Sequence, residues 1–119
     1  MLYAGACAMD ITPPVGYLLS GHAARTGKSR RAHDPLRLKV LSLRNGRGRI
    51  VIATADLIGF SAEFIETLRE ELLAKTGVRK EHMFLAASHT HTGPFMLESA
   101  STPAPDRILP DYISNVRRK

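Results

Sequence analysis

The sequence is poor in residues that several classes of protein require. Of its 119 residues, one is cysteine, none is tryptophan and 6% are aromatic. The lone Cys7 cannot form a disulfide within the chain, so nothing in the sequence requires an oxidising compartment, and its small neighbours predict a packed core thiol. Few aromatic rings are present to stack on nucleic-acid bases. A disulfide-stabilised domain and a base-stacking platform are therefore both disfavoured.

Long apolar runs and a targeting segment are also missing. No window approaches the roughly 18 apolar residues of a membrane span, so we expect no transmembrane segment. The N-terminal stretch MLYAGACAMDITPP lacks the basic start of a signal peptide, and Asp10 interrupts its short apolar run. We therefore expect a cytoplasmic protein, while secretion stays open. With 44% hydrophobic and 24% charged residues, the composition fits a single globular domain over residues 1–119.

Positive charge is abundant and unevenly distributed. The formal net charge is +6, and residues 25–49 hold nine basic residues against one acidic residue, Asp34. This segment is either a solvated strand face with a basic loop or a surface for an anionic partner such as nucleic acid. Because no aromatic residues interleave with the charges, we expect no nucleic-acid partner. A noncatalytic basic binding module is the alternative to an enzyme.

Hydrophobic periodicity predicts an α/β fold with a mixed sheet. Residues 3–9 predict an N-terminal strand. Alternation over 36–40 and the apolar run 50–55 predict two antiparallel strands that form a β-hairpin. Asn45 and Gly46 mark the turn, because both residue types tolerate positive φ.

The second half of the chain predicts a right-handed βαβ unit. A helix over 61–76 follows the strand 50–55, with Ser61 as its N-cap and Gly77 as its C-terminal stop. The apolar run 83–87 is the next strand, and a crossover of this kind leaves the two strands parallel.

Two stretches lack a regular pattern. Residues 16–33 have no sustained period and predict a long loop. Residues 96–119 predict a loop followed by the start of a helix.

The segment SHTHTGP carries the strongest chemical signal in the chain. His89 and His91 alternate on predicted extended backbone, so both rings are expected to face one ion or one substrate atom. Asp56 ends the preceding parallel strand and shares the carboxyl edge, where open α/β sheets bind ligands. The pair is either a zinc site or ordinary strand-end histidines, and Asp56 is either a second-shell partner of a histidine or a turn cap. His22 and His33 lie in or beside the long loop, and each either reaches this site or is solvated; we expect them to be solvated.

Five motifs in one order resemble the N-terminal part of the neutral/alkaline non-lysosomal ceramidase family. They are AGACAMDITPPVG, SGHAAR, HDPLRLKVLSL, VIATADLIGFS and ASHTHTGP, over about residues 3–95. The chain looks like a divergent, truncated, bacterial-type member. The resemblance implies part of a larger α/β catalytic domain of a zinc amidohydrolase, which cleaves the amide of an N-acylsphingosine or a related lipid amide.

The resemblance also implies roles for individual residues. His89 matches a zinc ligand, while His91 and Gly21 match residues that border the substrate. His22 departs from the family, which typically has tyrosine after this glycine, and the departure leaves the substrate open. The other family zinc ligands and a serine lie further along a longer chain. We therefore expect an N-terminal fragment with an incomplete Zn²⁺ site, no catalytic residue of its own, no activity in isolation, and self-association through exposed sheet edges.

Overall fold

The computed structural model describes residues 1–94 together with Tyr112, Val116 and Arg118. It contains four strands, one α-helix and one short 3₁₀ helix. Along the chain these are β1 (Tyr3–Asp10), β2 (Arg37–Asn45), β3 (Gly48–Ala55), α1 (Ala62–Thr76), the 3₁₀ helix (Lys80–His82) and β4 (Met83–Ala87). The predicted α/β class is confirmed. Of the loop and helix start predicted over 96–119, only the three helical residues named above belong to the described part.

The strands form one mixed sheet in the order β1-β2-β3-β4. β1, β2 and β3 pair antiparallel, whereas β3 and β4 pair parallel with α1 between them in the chain. Ala55 and Ala87, the last residues of β3 and β4, are direct partners in the parallel register. The segments that follow these two strands therefore leave the sheet at the same edge, as the sequence predicts.

Both ends of α1 are capped as predicted. The Ser61 side chain accepts a hydrogen bond from the Phe64 N–H at 3.1 Å. Gly77 adopts the left-handed conformation (φ 69°) and donates its N–H to Leu73 O. Phe60, just before the cap, stacks on Phe64 with ring centroids 5.4 Å apart. These local interactions fix where the helix begins and ends.

The hairpin between β2 and β3 lies where the sequence predicts it, but its turn is built differently. Neither Asn45 nor Gly46 adopts the expected positive φ. Instead the Asn45 side-chain oxygen accepts hydrogen bonds from the N–H groups of Arg47 and Gly48, at 2.9 and 3.1 Å. A side-chain bond to the backbone two residues ahead is an Asx-turn, which holds the turn without left-handed backbone.

The core lies under the carboxyl end of β3. The Tyr112 hydroxyl donates to Ile11 O at 2.6 Å, which joins the helical residues near the end of the chain to the segment after β1. The buried cluster consists of Ile11, Ala55, Leu57, Phe64, Tyr112 and Val116.

β1 contributes little to this core. It is an edge strand, since it pairs only with β2 among the described strands, and all of its residues except Met9 are exposed. Cys7 is exposed as well, so the prediction of a packed core thiol is wrong: the sheet leaves both faces of β1 open. No α-helix in the described part is long and apolar enough to cross a membrane.

Candidate functional site

The segment after β4 places His89 in an unusual backbone conformation. Ser88 still donates its N–H to Ala55 O at 2.9 Å, but His89 has φ 60°, which is uncommon for a residue other than glycine. The Nδ1 atom of His89 lies 2.8 Å from Ile58 O. Because a carbonyl oxygen only accepts hydrogen bonds, Nδ1 carries a proton, so in the neutral ring it is Nε2 that has the free lone pair. This is the arrangement in which histidines bind metal ions.

Three imidazole rings meet at this edge of the sheet. The His91 ring centroid lies 5.1 Å from that of His89 and 5.3 Å from that of His22, and both contacts are edge-on. We call these three residues the imidazole cluster. His89 and His91 come together as predicted, although His89 is not extended. His22 is exposed, as expected, yet its ring also contacts His91, which is the less favoured of the two sequence interpretations. The only further signal for this contact was the position of His22 inside the SGHAAR motif.

The loop that carries His22 is attached directly to the SHTHTGP segment. Ser20 donates both its N–H and its hydroxyl to Gly93 O, each at 2.9 Å. One guanidinium nitrogen of Arg25 donates to Ser20 O at 3.1 Å and to His91 O at 2.9 Å. Gly21 has φ 98°, and a Cβ there would overlap the His91 side chain and lie 2.6 Å from its Cα. Two motifs about 70 residues apart therefore form one packed unit.

Asp56 connects strands at the same edge of the sheet. Its carboxylate accepts from the Arg37 N–H at 2.9 Å, and its own N–H donates to Arg37 O. Ile58 O, rather than a carboxylate, is the partner that orients His89. The role of Asp56 as the partner that orients a metal-binding histidine stays a prediction.

A cavity of about 570 Å³ opens at the same edge of the sheet, and none of the three histidines of the cluster is among the residues that line it. The Thr90 and Thr92 hydroxyls are hydrogen-bonded to each other at 2.9 Å on its wall. At its rim, the hydrogen bond from His33 to the Asp34 carboxylate (2.7 Å) and the negative charge of Asp34 raise the pKa of His33. Its polar lining includes Asp56, Ser88, Thr90, Thr92, His33 and Asp34. The carboxyl edge of β3 and β4 thus has both candidate ligands and a concave space.

The described residues supply the type of donor that zinc prefers but not enough donors. Neutral imidazole is a common zinc ligand, and a catalytic zinc ion takes about three protein ligands. Among residues 1–94 and the three described helical residues, no group of three or more His, Cys, Asp or Glu side chains is arranged to hold a metal ion. The described part therefore supplies imidazole donors but no complete metal site.

The chain is thus an α/β protein with a candidate site at the carboxyl edge of two parallel strands. Two solved structures share the fold: neutral ceramidase from Pseudomonas aeruginosa and a ceramidase complexed with C2. Each has a TM-score of 0.69 and 24% sequence identity, and each match covers 79% of this chain. The chain spans only 16% and 15% of their lengths. No protein-family model and no curated protein matches the chain. The protein therefore has a ceramidase-like fold, and a fold alone does not define an activity.

Proposed function

We propose that this chain is the N-terminal part of a zinc-dependent amidohydrolase that cleaves the amide of an N-acylsphingosine or a related lipid amide. The observation that carries the proposal is the hydrogen bond from His89 Nδ1 to Ile58 O, which leaves Nε2 free beside His91. The ceramidase-like fold supports it independently. In this proposal His89 binds zinc, and the remaining ligands come from outside the described residues.

Four residues at this edge of the sheet have a defined task in the proposed reaction. Bound zinc supplies an acidified water and polarises the scissile carbonyl. Ile58 O keeps the proton on Nδ1 of His89, so that the opposite nitrogen remains a ligand. His91 contacts the substrate. Gly21 allows the loop backbone to approach that contact closely, because it has no side chain to overlap His91. With so few ligands in the described part, we expect no activity from the 119-residue chain alone.

Zinc retention tests the role of His89. We expect the 119-residue chain to retain zinc after dialysis and His89→Ala to bind it about tenfold more weakly or worse, because a first ligand is lost. The measurement is a competition titration with a chromophoric chelator, which does not depend on activity. His89→Asn is a second variant, since asparagine tolerates the left-handed backbone of position 89 but lacks the imidazole.

The matched control is His82→Ala, which removes a histidine from the 3₁₀ helix before β4. It should retain zinc like the unmodified chain. Equal retention by the unmodified chain and both His89 variants would eliminate the proposed ligand.

We also propose that the isolated chain self-associates through β1. Tyr3 to Met9 carry no charged side chain, and the strand exposes one row of backbone groups to solvent. Natural edge strands usually avoid such exposure with charges or proline. Because β1 is uncharged over most of its length, two copies can pair along it without repulsion.

A lysine on β1 tests this association. We expect Ala6→Lys to weaken self-association about tenfold or more in sedimentation equilibrium, because each copy would bring a positive charge to the shared edge. Ala74→Lys, on the exposed surface of α1, adds the same charge elsewhere and should leave the association unchanged. A chain that stays monomeric over the whole concentration range, or two variants that behave alike, would contradict a role for β1.

A further inference from the structure

We propose that the hairpin end of the sheet binds a phosphate group. The site consists of Arg44, Arg47, Arg49, Arg79 and His82, which we call the arginine cluster. It lies at the amino end of β3, whereas the imidazole cluster lies beyond its carboxyl end. Eight residues of strand separate the two ends by roughly 25 Å. The inference therefore does not depend on the proposed hydrolase function.

The arginine cluster surrounds one concavity. The β2–β3 hairpin contributes three arginines, and the segment between α1 and β4 contributes Arg79 and His82, so distant parts of the sequence meet here. The concavity has a volume of about 460 Å³, and none of the described residues that line it is acidic. A concave surface lined by one sign of charge concentrates counter-ions.

Two of these arginines are direct neighbours on paired strands. Arg44 and Arg49 are direct partners in the β2–β3 register. Like charges at directly opposite positions destabilise a sheet, and Arg47 in the adjoining turn adds a third positive charge. A bound anion would offset this repulsion, so the unliganded hairpin carries an electrostatic cost that an anion removes.

The hairpin arginines have no acidic partner in the part of the chain that the structure describes. None of the ion pairs there involves Arg44, Arg47 or Arg49. The Arg44 guanidinium instead lies 5.2 Å from the centroid of the Tyr3 ring. Three guanidinium groups thus remain available to an external anion.

The remaining two members of the cluster are partly engaged with neighbours. Arg79 lies 3.2 Å from a carboxylate oxygen of Glu81, which offsets one positive charge. Another Arg79 nitrogen lies 3.0 Å from His82 Nε2. Since arginine only donates, His82 Nε2 accepts, which places the proton of the neutral ring on Nδ1. The cluster still carries an excess of positive charge after the pairing with Glu81.

The chemistry of the cluster selects a phosphate group among anions. Guanidinium groups donate pairs of parallel N–H groups that match two phosphate oxygens, and a phosphate presents enough oxygens for several guanidinium groups at once. Among the described residues, no tryptophan, tyrosine or phenylalanine lines the concavity to stack on bases, which disfavours nucleic acid. A free phosphate compound and a lipid headgroup present the same chemistry, and the experiment separates them.

The test is calorimetric titration of the metal-free 119-residue chain with pyrophosphate, against chloride at equal ionic strength. We expect Arg44→Gln/Arg49→Gln to weaken pyrophosphate binding about tenfold or more, since it removes two charge-assisted contacts. Arg30→Gln/Lys39→Gln removes the same charge at exposed positions outside the concavity and should leave binding unchanged. Without pyrophosphate, Arg44→Gln/Arg49→Gln should not lower the Tm, because it relieves the cross-strand repulsion. That last result separates loss of a ligand contact from a failure to fold.

A second arm uses vesicles of phosphatidylcholine with and without phosphatidic acid. Binding to the acidic vesicles alone, lost in the cluster variant, identifies a lipid headgroup as the source of the phosphate. Absence of binding to both pyrophosphate and vesicles overturns the proposal. Equal weakening by the cluster and control variants also overturns it. The proposal is also overturned if the chain binds random oligonucleotides more tightly than pyrophosphate and if both double variants show the same steep salt dependence. Such binding would be nonspecific attraction to the net positive charge.

Discussion

Gly21→Ala is expected to lower the free energy of unfolding by about 3 kcal/mol and to detach the SGHAAR loop from the SHTHTGP segment. Two effects add at this position. Gly21 has φ 98°, a conformation that L side chains rarely adopt. In addition, the new Cβ would overlap His91, and the hydrogen bonds from Ser20 and Arg25 prevent the loop from moving away without loss. Urea unfolding measures the stability, and the chelator competition described above measures zinc binding.

Two glycines in the same loop separate these effects. Gly16 has φ 101° but open space around it, so Gly16→Ala reports the backbone strain alone, about 1–2 kcal/mol. Gly27 has open space and no positive φ, so Gly27→Ala should be close to neutral. The excess cost of Gly21→Ala over Gly16→Ala measures the contact with His91. Equal costs for these two variants would show that the loop does not pack on His91.

Tyr112→Ala is expected to cost about 3–5 kcal/mol, the range for truncating a large buried aromatic residue. Tyr112 is 5% exposed, and its ring centroid lies 6.2 Å from that of Tyr17. Its hydroxyl supplies a hydrogen bond to Ile11 O within the core. Because the variant removes both the ring and that bond, the chain should unfold at much lower urea concentration. A change within the error of the measurement would show that Tyr112 does not belong to the core.

Tyr112→Phe isolates the hydroxyl and adds a pH signature. It should cost about 1–2 kcal/mol, because Ile11 O loses its donor. Burial raises the pKa of Tyr112 above its ordinary value, since the phenolate is desolvated. The stability linked to this shift is fully present below about pH 10, the ordinary tyrosine pKa, and is lost as the pH rises further. The phenylalanine variant should lack this part of the alkaline loss, and an identical alkaline slope in both proteins would contradict the assignment.

The elements of the fold could be predicted because their signals are local. Ser61 and Gly77 cap α1 through contacts within a few residues, and the apolar runs of β3 and β4 identify the parallel strands. These strands are only partly buried, and Phe84 of β4 is 64% exposed. The hairpin position was predicted as well. The mechanism of its turn was not, because the Asn45 residue that permits left-handed backbone can also form an Asx-turn. The identity of a turn residue therefore located the turn without defining its conformation.

The candidate site was only half predictable. His89 and His91 are two residues apart in the sequence, so their contact required only a strand end. The contact between His22 and His91 depends on hydrogen bonds between Ser20 and Gly93, 73 residues apart, which no local pattern reveals. The distribution of the basic residues of segment 25–49 over the folded surface was likewise not visible in the sequence.

The basic segment 25–49 is not one surface in the structure. Arg25 holds the loop, and Arg37 lies 3.9 Å from Asp10. The hairpin arginines line one concavity with Arg79 and His82, which follow α1 in the chain. A run of like charges in a sequence therefore divides among different structural tasks once the chain is folded.

The bonds that attach the SGHAAR loop to the SHTHTGP segment end on backbone carbonyl oxygens, those of His91 and Gly93. Every residue type supplies a carbonyl oxygen, so these attachments do not depend on which side chain occupies position 91. The loop and the strand end therefore support position 91 through backbone hydrogen bonds that do not require a particular side chain there. Aspartate or cysteine introduced at this position would be presented from the same backbone, so the side chain that position 91 offers to a ligand can be changed while the attachment of the loop is kept.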